Sequence, residues 1–294
     1  MAGKLVVCGV GLIGGSFALA VKSALAGRRD CPRIVGMGRT RAPLEQAYKL
    51  GAIDAIETDW ANALKGADLV LLGMPVGQME ATMRAMAPYL EARTVVTDGG
   101  STKADVVAAA RAALGNKVCQ FVPGHPIAGA EKSGVGAAKA ALYAGKRVVL
   151  TPLPENRPED VAAVRKVWEL CGAKVSQLAP DEHDRVFAAV SHLPHLLAFA
   201  LVHDLAVRDN ADQLFGFAAS GFRDFTRIAS SHPEMWRDIC LANRKALLKE
   251  LDAYMAELLR TRVLLAGADG AGLEQMFATA RTRRDAWLDS LEKQ

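Results

Sequence analysis

Short apolar runs alternate with longer helical patterns along the first 178 residues of the chain. The apolar runs predict seven strands, at residues 5–8, 33–37, 69–72, 94–97, 118–122, 147–151 and 174–178. Between them, residues 77–90, 104–114 and 158–171 have helical patterns long enough to cross a sheet and return. Strands that alternate with such helices predict an α/β fold with a doubly wound, mostly parallel, Rossmann-type sheet.

The pattern changes after Pro180, where strand signals stop and helical periodicity continues. In residues 246–265 apolar side chains recur at spacings of four and three, at Leu247, Leu251, Tyr254 and Leu258. Residues 231–234, Ser-His-Pro-Glu, have the spacing of a capping box with proline in the first turn, which predicts a helix start. We therefore expect a sheet domain over residues 1–178 and an all-helical domain over residues 179–294. Long helices that are apolar on more than one face need a partner surface, so we expect a homodimer built on the second domain.

Composition narrows the class of protein. Hydrophobic residues make up 51% and charged residues 23% of the 294 positions, which is typical of a folded globular chain. The net charge of +4 is scattered, so we expect no nucleic-acid partner. Five cysteines without a Cys-x-x-Cys pair indicate neither a disulfide framework nor a zinc site, and favour the reducing cytoplasm.

The amino terminus imitates a secretory signal, because an apolar stretch follows Lys4. Glycines at positions 9, 11, 14 and 15 are poor in a signal helix but suit a strand, a tight turn and a helix start. We found no other segment with the roughly 20 apolar residues that a membrane span needs. The sequence therefore predicts a cytoplasmic protein without a membrane partner.

The glycine sequence Gly9-Val10-Gly11-Leu12-Ile13-Gly14 lies between a predicted strand and a predicted helix. In that context the first glycine permits the turn, the second leaves room for a pyrophosphate, and the third lets helix and strand pack closely. The helix amino terminus then faces the phosphates. This pattern predicts a dinucleotide site whose candidate contacts are Gly9, Gly11, Leu12, Ile13 and Gly14.

The end of the second predicted strand bears on the phosphate state of the dinucleotide. An acidic residue there would bond the ribose hydroxyls of NAD, whereas an arginine would pair with the 2′-phosphate of NADP. Residues 32–44 contain no carboxylate but include Arg39, Thr40 and Arg41. We therefore favour NADP over NAD, with Arg39 and Thr40 as contacts and Pro75 as a further cofactor-binding candidate. The alternative is that both arginines are solvated loop residues.

Two further candidates follow later strands, where open α/β sheets bind ligands. Ser101 begins the sequence Ser-Thr-Lys, and His125 lies in the loop sequence Gly-His-Pro-Ile-Ala-Gly-Ala-Glu, which ends at Glu131. A histidine with a near-neutral pKa can accept a proton from an alcohol as hydride leaves. We interpret His125 as a candidate catalytic base.

The helical half contributes a histidine cluster and an arginine pair. His192 and His195 occur in Ser-His-Leu-Pro-His, but no neighbouring Glu and no third ligand suggest a metal, so we predict none. Arg223 and Arg227 are four residues apart and would share a helix face. One of them could bind a carboxylate bidentately while the other forms a surface ion pair.

Together these motifs resemble the prephenate/arogenate dehydrogenase family of tyrosine biosynthesis. The resemblance runs in order from residue 4 to about residue 245, through the glycine turn, the Ser101 and His125 loops, residues 191–195 and the sequence Asp-Phe-Thr-Arg-Ile-Ala-Ser-Ser at residues 224–231. It implies oxidative decarboxylation, in which hydride passes from C4 of a cyclohexadienol ring to the nicotinamide as the ring carboxylate leaves as carbon dioxide. Aromatisation supplies the driving force.

The resemblance also implies roles for single residues. His125 would bond the C4 hydroxyl and take its proton, and Ser101 would orient that histidine and the nicotinamide. Arg227 would bind a substrate carboxylate, and His195 would be a second pocket histidine. Glu131 could favour the ammonium group of arogenate, or could cap a helix, so the choice between prephenate and arogenate stays open.

Two features qualify this interpretation. Arg39 stands where NAD-using members tend to have an acidic residue. Members that tyrosine regulates can carry an appended effector domain, whereas this chain is helical to Gln294, so we expect any feedback to act at the active site.

Two other functions remain as alternatives. A β-hydroxyacid-type dehydrogenase would need a lysine base, for which Lys245 and Lys249 are the candidates in the helical half. A non-catalytic dinucleotide sensor would keep the glycine turn but would not need Ser101, His125 and Arg227 together.

Overall fold

A computed structural model describes residues 3–129 and 133–292 of the chain. It forms two compact units, Met1–Arg244 and Lys245–Gln294. The first unit contains both sheets and most of the helices, and the second consists of helices. The predicted boundary at residue 178 separates fold types within the first unit, because strands end at Gln177 and only helices follow from Pro180 in the described chain.

The main sheet is a parallel six-stranded sheet of order β3-β2-β1-β4-β5-β6. Its strands are β1 Lys4–Cys8, β2 Arg33–Met37, β3 Ala55–Glu57, β4 Leu69–Leu72, β5 Val95–Asp98 and β6 Phe121–Val122. The register pairs Cys8 with Met37 on one side and with Leu72 on the other, and Leu72 with Asp98. The carboxyl ends of these strands therefore meet at one edge of the sheet, as the doubly wound prediction requires.

Helices cover both faces of this sheet, which explains why residues 5–8 of β1 and all four residues of β4 are apolar. Val7 packs with Phe17 and Trp168 on one face, and Val6 belongs to a second core cluster on the other face. The rings of Phe17 and Trp168 meet edge to face with centroids 4.7 Å apart. The helices of the first unit are α1 Leu12–Ala24, α2 Arg41–Lys49, α3 Trp60–Leu64, α4 Met79–Met86, α5 Ala104–Leu114, α6 Pro158–Leu170, α7 Pro180–Phe187, α8 Leu193–Ala206, α9 Ala211–Gly216, α10 Ser220–Thr226 and α11 Pro233–Ala242.

The predicted strands after residue 118 do not all join the main sheet. The predicted strand at residues 118–122 is instead a 3₁₀ helix, Gly115–Gln120, followed by the two-residue β6. The chain then leaves the sheet and starts a second, three-stranded sheet of β7 Gly124–Pro126, β8 Arg147–Leu150 and β9 Lys174–Gln177. β7 is antiparallel to β8, and β8 is parallel to β9. This change of sheet places the His125 loop in a strand of its own.

The helical prediction for the remainder of the chain is confirmed in the described residues. Helix α12 spans Arg244–Ala266 and α13 spans Gly270–Glu292. Helix α11 begins at Pro233 as expected, but its N-cap is His232, and no side-chain cap bond forms. The capping box predicted for Ser231 and Glu234 is therefore absent, since the cap position has moved one residue along the chain.

One segment of the described chain is longer and more apolar than the sequence analysis allowed. Residues Pro180–Ala206 form a continuous helical segment that is long and apolar enough, by length and composition, to cross a membrane. A buried helix of a folded domain passes the same test. This segment carries His183 and Asp184, whose side chains bond other elements of the fold, which is the behaviour of a packed domain helix.

Candidate active site

The glycine turn forms a cradle in which Gly9 and Gly14 differ from Gly11. Gly9 has φ +84°, and a Cβ there would lie 2.8 Å from the Met74 amide nitrogen. A Cβ at Gly14 would overlap the Gly9 carbonyl oxygen, whereas one at Gly11 would meet nothing within 4 Å. Gly9 and Gly14 thus allow close packing, and Gly11 borders open space.

Helix α1 begins directly at this cradle. Its first residues are Leu12 and Ile13, its N-cap is Gly11, and neither a side-chain cap bond nor an acidic first-turn residue is present. The amide groups of the first turn therefore lack a side-chain cap and lie at the positive end of the helix dipole, which is the arrangement that binds phosphate. The residues present fit the pyrophosphate of a dinucleotide.

The predicted 2′-phosphate contacts lie after β2. The Arg39 guanidinium donates to Oε1 of Gln78 at 3.1 Å. Thr40 is the N-cap of α2 and makes no side-chain cap bond, and Arg41 pairs with Glu45. Pro75 caps the 3₁₀ turn Val76–Gln78 that brings Gln78 to Arg39. The structure thus brings Arg39 and the Pro75 segment together through Gln78, which the sequence analysis did not identify.

A close approach at Gly99 joins the cradle to the predicted catalytic loop. A Cβ at Gly99, just beyond β5, would lie 2.9 Å from Ile13 and 3.7 Å from Pro126. Gly99 therefore lies between the first turn of α1 and the residue that follows His125. His125 is placed beside the dinucleotide cradle by this close approach.

His125 is held by two residues that the sequence analysis missed. Its Nδ1 lies 2.8 Å from Nε2 of His183, and Nδ1 of His183 lies 2.8 Å from Oδ1 of Asp184. All three residues are buried, and Phe187 packs against both imidazoles. A histidine next to an aspartate in an amphipathic helix is a common surface pattern, so the sequence offered no signal for this role.

Asp184 also joins α7 to α5. Its carboxylate accepts hydrogen bonds from the amides of Lys103 and Ala104, each at 2.8 Å. These are the cap and first amides of α5, which has no cap from its own side chains. An anion at a helix amino terminus is stabilised by the unpaired N–H groups and the helix dipole.

A buried ion pair sets the two loops in place. Lys103 and Asp98 form a salt bridge, and both side chains are fully buried. Asp98 also accepts from the amides of Gly100 and Gly124, at 2.8 and 2.9 Å. One carboxylate at the end of β5 therefore fixes both the loop that carries Ser101 and the strand that carries His125.

The electrostatics favour neutral histidines. Burial, together with His183, Lys103 and His192, holds the pKa of His125 well below 6.5. Burial also lowers the pKa of His183 and outweighs the hydrogen bond to Asp184, which acts in the other direction. For Asp184, burial would raise the pKa, but the bonds from His183 and the α5 amides prevail and lower it. The site therefore combines an ionised aspartate with uncharged imidazoles near pH 7.

Ser101 lies in the turn between β5 and α5, half-buried. Among the described contacts, the partner of His125 Nδ1 is His183 and not Ser101. The predicted role of Ser101 toward His125 and the nicotinamide stays a prediction.

His192 lies at the end of the π-helical turn Ala188–His192, which joins α7 to α8. Asn243 donates its amide hydrogens to the Asp184 carbonyl at 2.8 Å and to His192 Nδ1 at 3.0 Å. The proton of His192 is therefore on Nε2, and a hydrogen bond to the Ser101 backbone favours the protonated ring. Burial lowers the pKa of His192 to about 4.

His195, a predicted substrate contact of the helical half, packs against Trp236. The rings of His195 and Trp236 stack with centroids 3.7 Å apart, and His195 Nδ1 donates to the Ser191 carbonyl at 2.9 Å. Burial and the charge of Arg227 lower the pKa of His195. The indole N–H of Trp236 is buried without a partner, so this pocket holds a spare donor that the sequence analysis did not identify.

The two arginines of the predicted pair differ in their surroundings. Arg223 is exposed and pairs with the adjacent Asp224 at 3.4 Å. Arg227 begins the 3₁₀ turn after α10, is also exposed, and acts electrostatically on His195. Proximity to His195 favours Arg227 as the anion-binding member.

Other predicted groups have no part in these described contacts or lie outside the described residues. Glu131 lies outside the described residues. Lys245 and Lys249, the candidate bases of the β-hydroxyacid alternative, are exposed. Within residues 3–129 and 133–292, no group of three His, Cys, Asp or Glu side chains is placed to hold a metal ion.

Comparison with known proteins shows which family the chain matches. The family described as prephenate dehydrogenase, nucleotide-binding domain, matches residues 23–177, and the prephenate dehydrogenase dimerization domain matches residues 179–279. Prephenate dehydrogenase of Bacillus subtilis is 38% identical over 97% of this chain and 76% of its own length. Cyclohexadienyl dehydrogenase of Zymomonas mobilis is 34% identical over 95% of this chain and 94% of its own length.

Solved structures agree with these relatives. Prephenate dehydrogenase from Aquifex aeolicus, solved in complex with hydroxyphenyl propionate and NAD+, is 36% identical with a TM-score of 0.87, over 97% of this chain and 98% of that one. Synechocystis arogenate dehydrogenase is 28% identical with a TM-score of 0.80, over 97% and 99%. The chain therefore belongs to the prephenate dehydrogenase family of pyridine-nucleotide-dependent oxidoreductases.

Proposed function

We propose that this chain catalyses the oxidative decarboxylation of prephenate, arogenate or both, with His125 as the proton acceptor. The observation that carries the proposal is the position of a buried, neutral imidazole beside the dinucleotide cradle, across Gly99 from the first turn of α1. A neutral imidazole can accept the proton of a hydroxyl group as that carbon is oxidised. The names of the relatives support the same reaction.

Neutral and charged side chains have different proposed roles in this reaction. His125 bonds the ring hydroxyl and takes its proton, while Arg227, beside His195, supplies a fixed cation for a substrate carboxylate. The indole N–H of Trp236, whose ring stacks on His195, supplies a further donor beside these residues. When bound, the oxidised nicotinamide accepts the hydride. Loss of carbon dioxide and aromatisation of the ring then make the step favourable.

NADP is the proposed preferred cofactor. Gln78 holds the Arg39 guanidinium beside the unoccupied cap of α2, and no acidic residue lies in the first turn of that helix. A 2′-phosphate would meet Arg39 and the helix amino terminus there, whereas no carboxylate is present to bond the ribose of NAD. Arg39→Ser should raise the KM for NADP about tenfold and leave that for NAD unchanged. Arg41→Ser, which removes an arginine already paired with Glu45, is the matched control.

A homodimer built on the helical half is also proposed, with the functional domains divided at residue 178. The dimerization-domain match and the exposed apolar side chains of α12 and α13 support it. These side chains are Leu248, Met255, Leu258, Leu259, Val263, Leu265, Phe277, Trp287 and Leu291. A cytoplasmic location is proposed as well, since all five cysteines lie in the described chain as free thiols.

The experiment that tests this function measures reduced cofactor at 340 nm with purified protein. Prephenate and arogenate are each paired with NAD and with NADP. Turnover of at least one substrate, faster with NADP, is the expected result. No turnover with any of the four pairs would overturn the proposed reaction, and faster turnover with NAD would overturn the cofactor preference.

A further inference from the structure

A chain of hydrogen bonds leads from His125 into the interior of the protein, and its proton positions can be deduced from its far end. Asp184 accepts from two amides of α5, so it is an anion held in place by groups that can only donate. His183 must therefore direct its Nδ1–H at Asp184. This leaves Nε2 of His183 as a lone pair when the ring is neutral.

The same reasoning fixes the next ring. A lone pair on His183 Nε2, 2.8 Å from His125 Nδ1, requires that His125 carry its proton on Nδ1. The remaining nitrogen of His125, Nε2, is then an acceptor. Within the described residues it forms no hydrogen bond, and it is not among the enclosed side-chain atoms that lack a partner. It is the nitrogen left for a ligand.

We propose that His183 and Asp184 are positioning residues that hold His125 in its Nδ1–H tautomer and spread the charge that the abstracted proton brings. This inference rests on the proposed function, since it concerns how His125 acts as the base. The other tautomer would present an N–H to the substrate hydroxyl and could not accept its proton. The neighbouring Asp184 thereby determines the function of a residue that it does not touch.

The proton balance of the step is simple. The substrate O–H bond breaks, and an N–H bond forms at His125 Nε2, which makes an imidazolium. Its Nδ1 proton lies in a hydrogen bond to His183 Nε2 and can shift to that atom, so that the positive charge comes to lie next to the Asp184 carboxylate. The hydrogen-bonded residues gain the one proton that the substrate loses, and the hydride leaves separately to the cofactor.

Burial and the Lys103 ammonium favour the neutral state of both imidazoles in this hydrogen-bonded chain. The Lys103 ammonium lies beside it from α5 and is paired with Asp98 of β5. His192 of the π-helical turn also lowers the pKa of His125, whereas the carboxylates of Asp184 and Asp98 act in the opposite direction and raise the pKa of His183 without overcoming its burial. Phe187 closes the packing against both imidazoles.

The first test observes the tautomer directly. Full-length protein labelled with ¹⁵N-histidine is compared with His125→Gln, so that the His125 signals can be assigned. We expect the shifts of a protonated Nδ1 and a bare Nε2 at pH 7.5. In His183→Leu the Nδ1–H loses its acceptor, and the Nε2–H tautomer should appear. An Nε2–H tautomer in the unaltered protein would overturn the proposal.

The second test compares two substitutions at His183. His183→Leu should lower kcat about 100-fold, because the general base is held in the wrong tautomer. His183→Gln keeps a side-chain oxygen that can accept from Nδ1–H and should recover about tenfold of that loss. The KM values for substrate and cofactor should change less than threefold in both. A His183→Leu variant with unchanged kcat, or equal losses in both variants, would overturn the proposal.

The control is His203→Gln, an identical change at an exposed histidine of α8, which should leave kcat and the His125 signals unchanged. The tautomer test does not depend on the proposed function, whereas the kcat comparison does. If the protein turns over neither prephenate nor arogenate, the proposed function fails, but the tautomer measurement still decides the inference. If His183→Leu does not fold, the unaltered protein and His183→Gln still decide it.

Discussion

The dinucleotide cradle and the His125 centre adjoin each other, yet they are built from different material. The cradle consists of backbone: Gly9, Gly11 and Gly14 act through the side chains they lack. The His125 centre consists of side chains contributed by β5, β7, α5 and α7. A backbone site is sensitive to added volume, whereas a side-chain site is sensitive to charge and to the positions of protons. Each region should therefore fail in its own way.

The largest effect should come from removing the base. His125→Asn keeps a polar side chain but cannot accept the proton, so kcat should fall by about 10² to 10⁴. The cradle is untouched, and the Kd for NADP, measured by fluorescence titration, should stay within twofold. Weakened cofactor binding of the same size as the loss in kcat would contradict the separation of the two regions.

A fall in pH should destabilise the His125 centre before it affects the dinucleotide cradle. The folded pKa of His192 is about 4, below the unfolded value near 6.5, so the unfolded chain binds the proton first as pH falls. The stability is complete above pH 6.5 and is lost between pH 6.5 and 4, by about 3 kcal/mol for His192. His125 and His183 act in the same direction.

Urea unfolding at pH 7 and at pH 4.5 measures this loss. His203→Gln, at an exposed site, should show the same decline as the unaltered protein. A free energy of unfolding that is equal at the two pH values would refute the neutral histidine cluster.

Two substitutions separate packing from ligand space inside the cradle. In Gly14→Ala the new Cβ overlaps the Gly9 carbonyl, and we expect a loss of about 2 kcal/mol of stability. In Gly11→Ala the new Cβ meets no protein atom within 4 Å, so stability should be unchanged while the KM for the cofactor rises. Thermal unfolding and cofactor titration check the pair. Equal stability of both variants would show that the close approach at Gly14 is not needed.

The smallest effect concerns the substrate anion. Arg227→Ala should raise the KM for prephenate about tenfold, because an exposed guanidinium is partly screened by water. Cofactor affinity should be unchanged. Arg223→Ala is the matched control, and equal effects of the two variants in steady-state kinetics would argue against the assignment of Arg227.

The same contrast explains what could be predicted from sequence. The cradle is contiguous, so the strand β1, the glycine turn and α1 were all visible within residues 4–24. His125 was also visible, because it lies between a glycine and a proline in the loop that follows a predicted strand. Its partners were not, since His183 is 58 residues away and Asp184 meets α5 across 80 residues. Such pairings follow from how the helices pack on the sheet, and no local pattern encodes them.

The same limit applies to the second sheet. The predicted strand at residues 118–122 has the apolar composition of a buried strand, and Phe121 and Val122 are strand residues. The Gly124 amide, however, bonds the Asp98 carboxylate, and β7 pairs with β8. Tertiary contacts, and not the propensity of the run, decide where one sheet ends and the next begins.

Because Asp184 of α7 bonds the start of α5, catalysis requires that α7 has packed against α5. A chain whose α7 has not yet docked keeps a complete glycine turn, but its base lacks the partners that orient it. Refolding protein should therefore recover cofactor binding earlier than turnover. A partly folded molecule can thus bind the dinucleotide without reducing it.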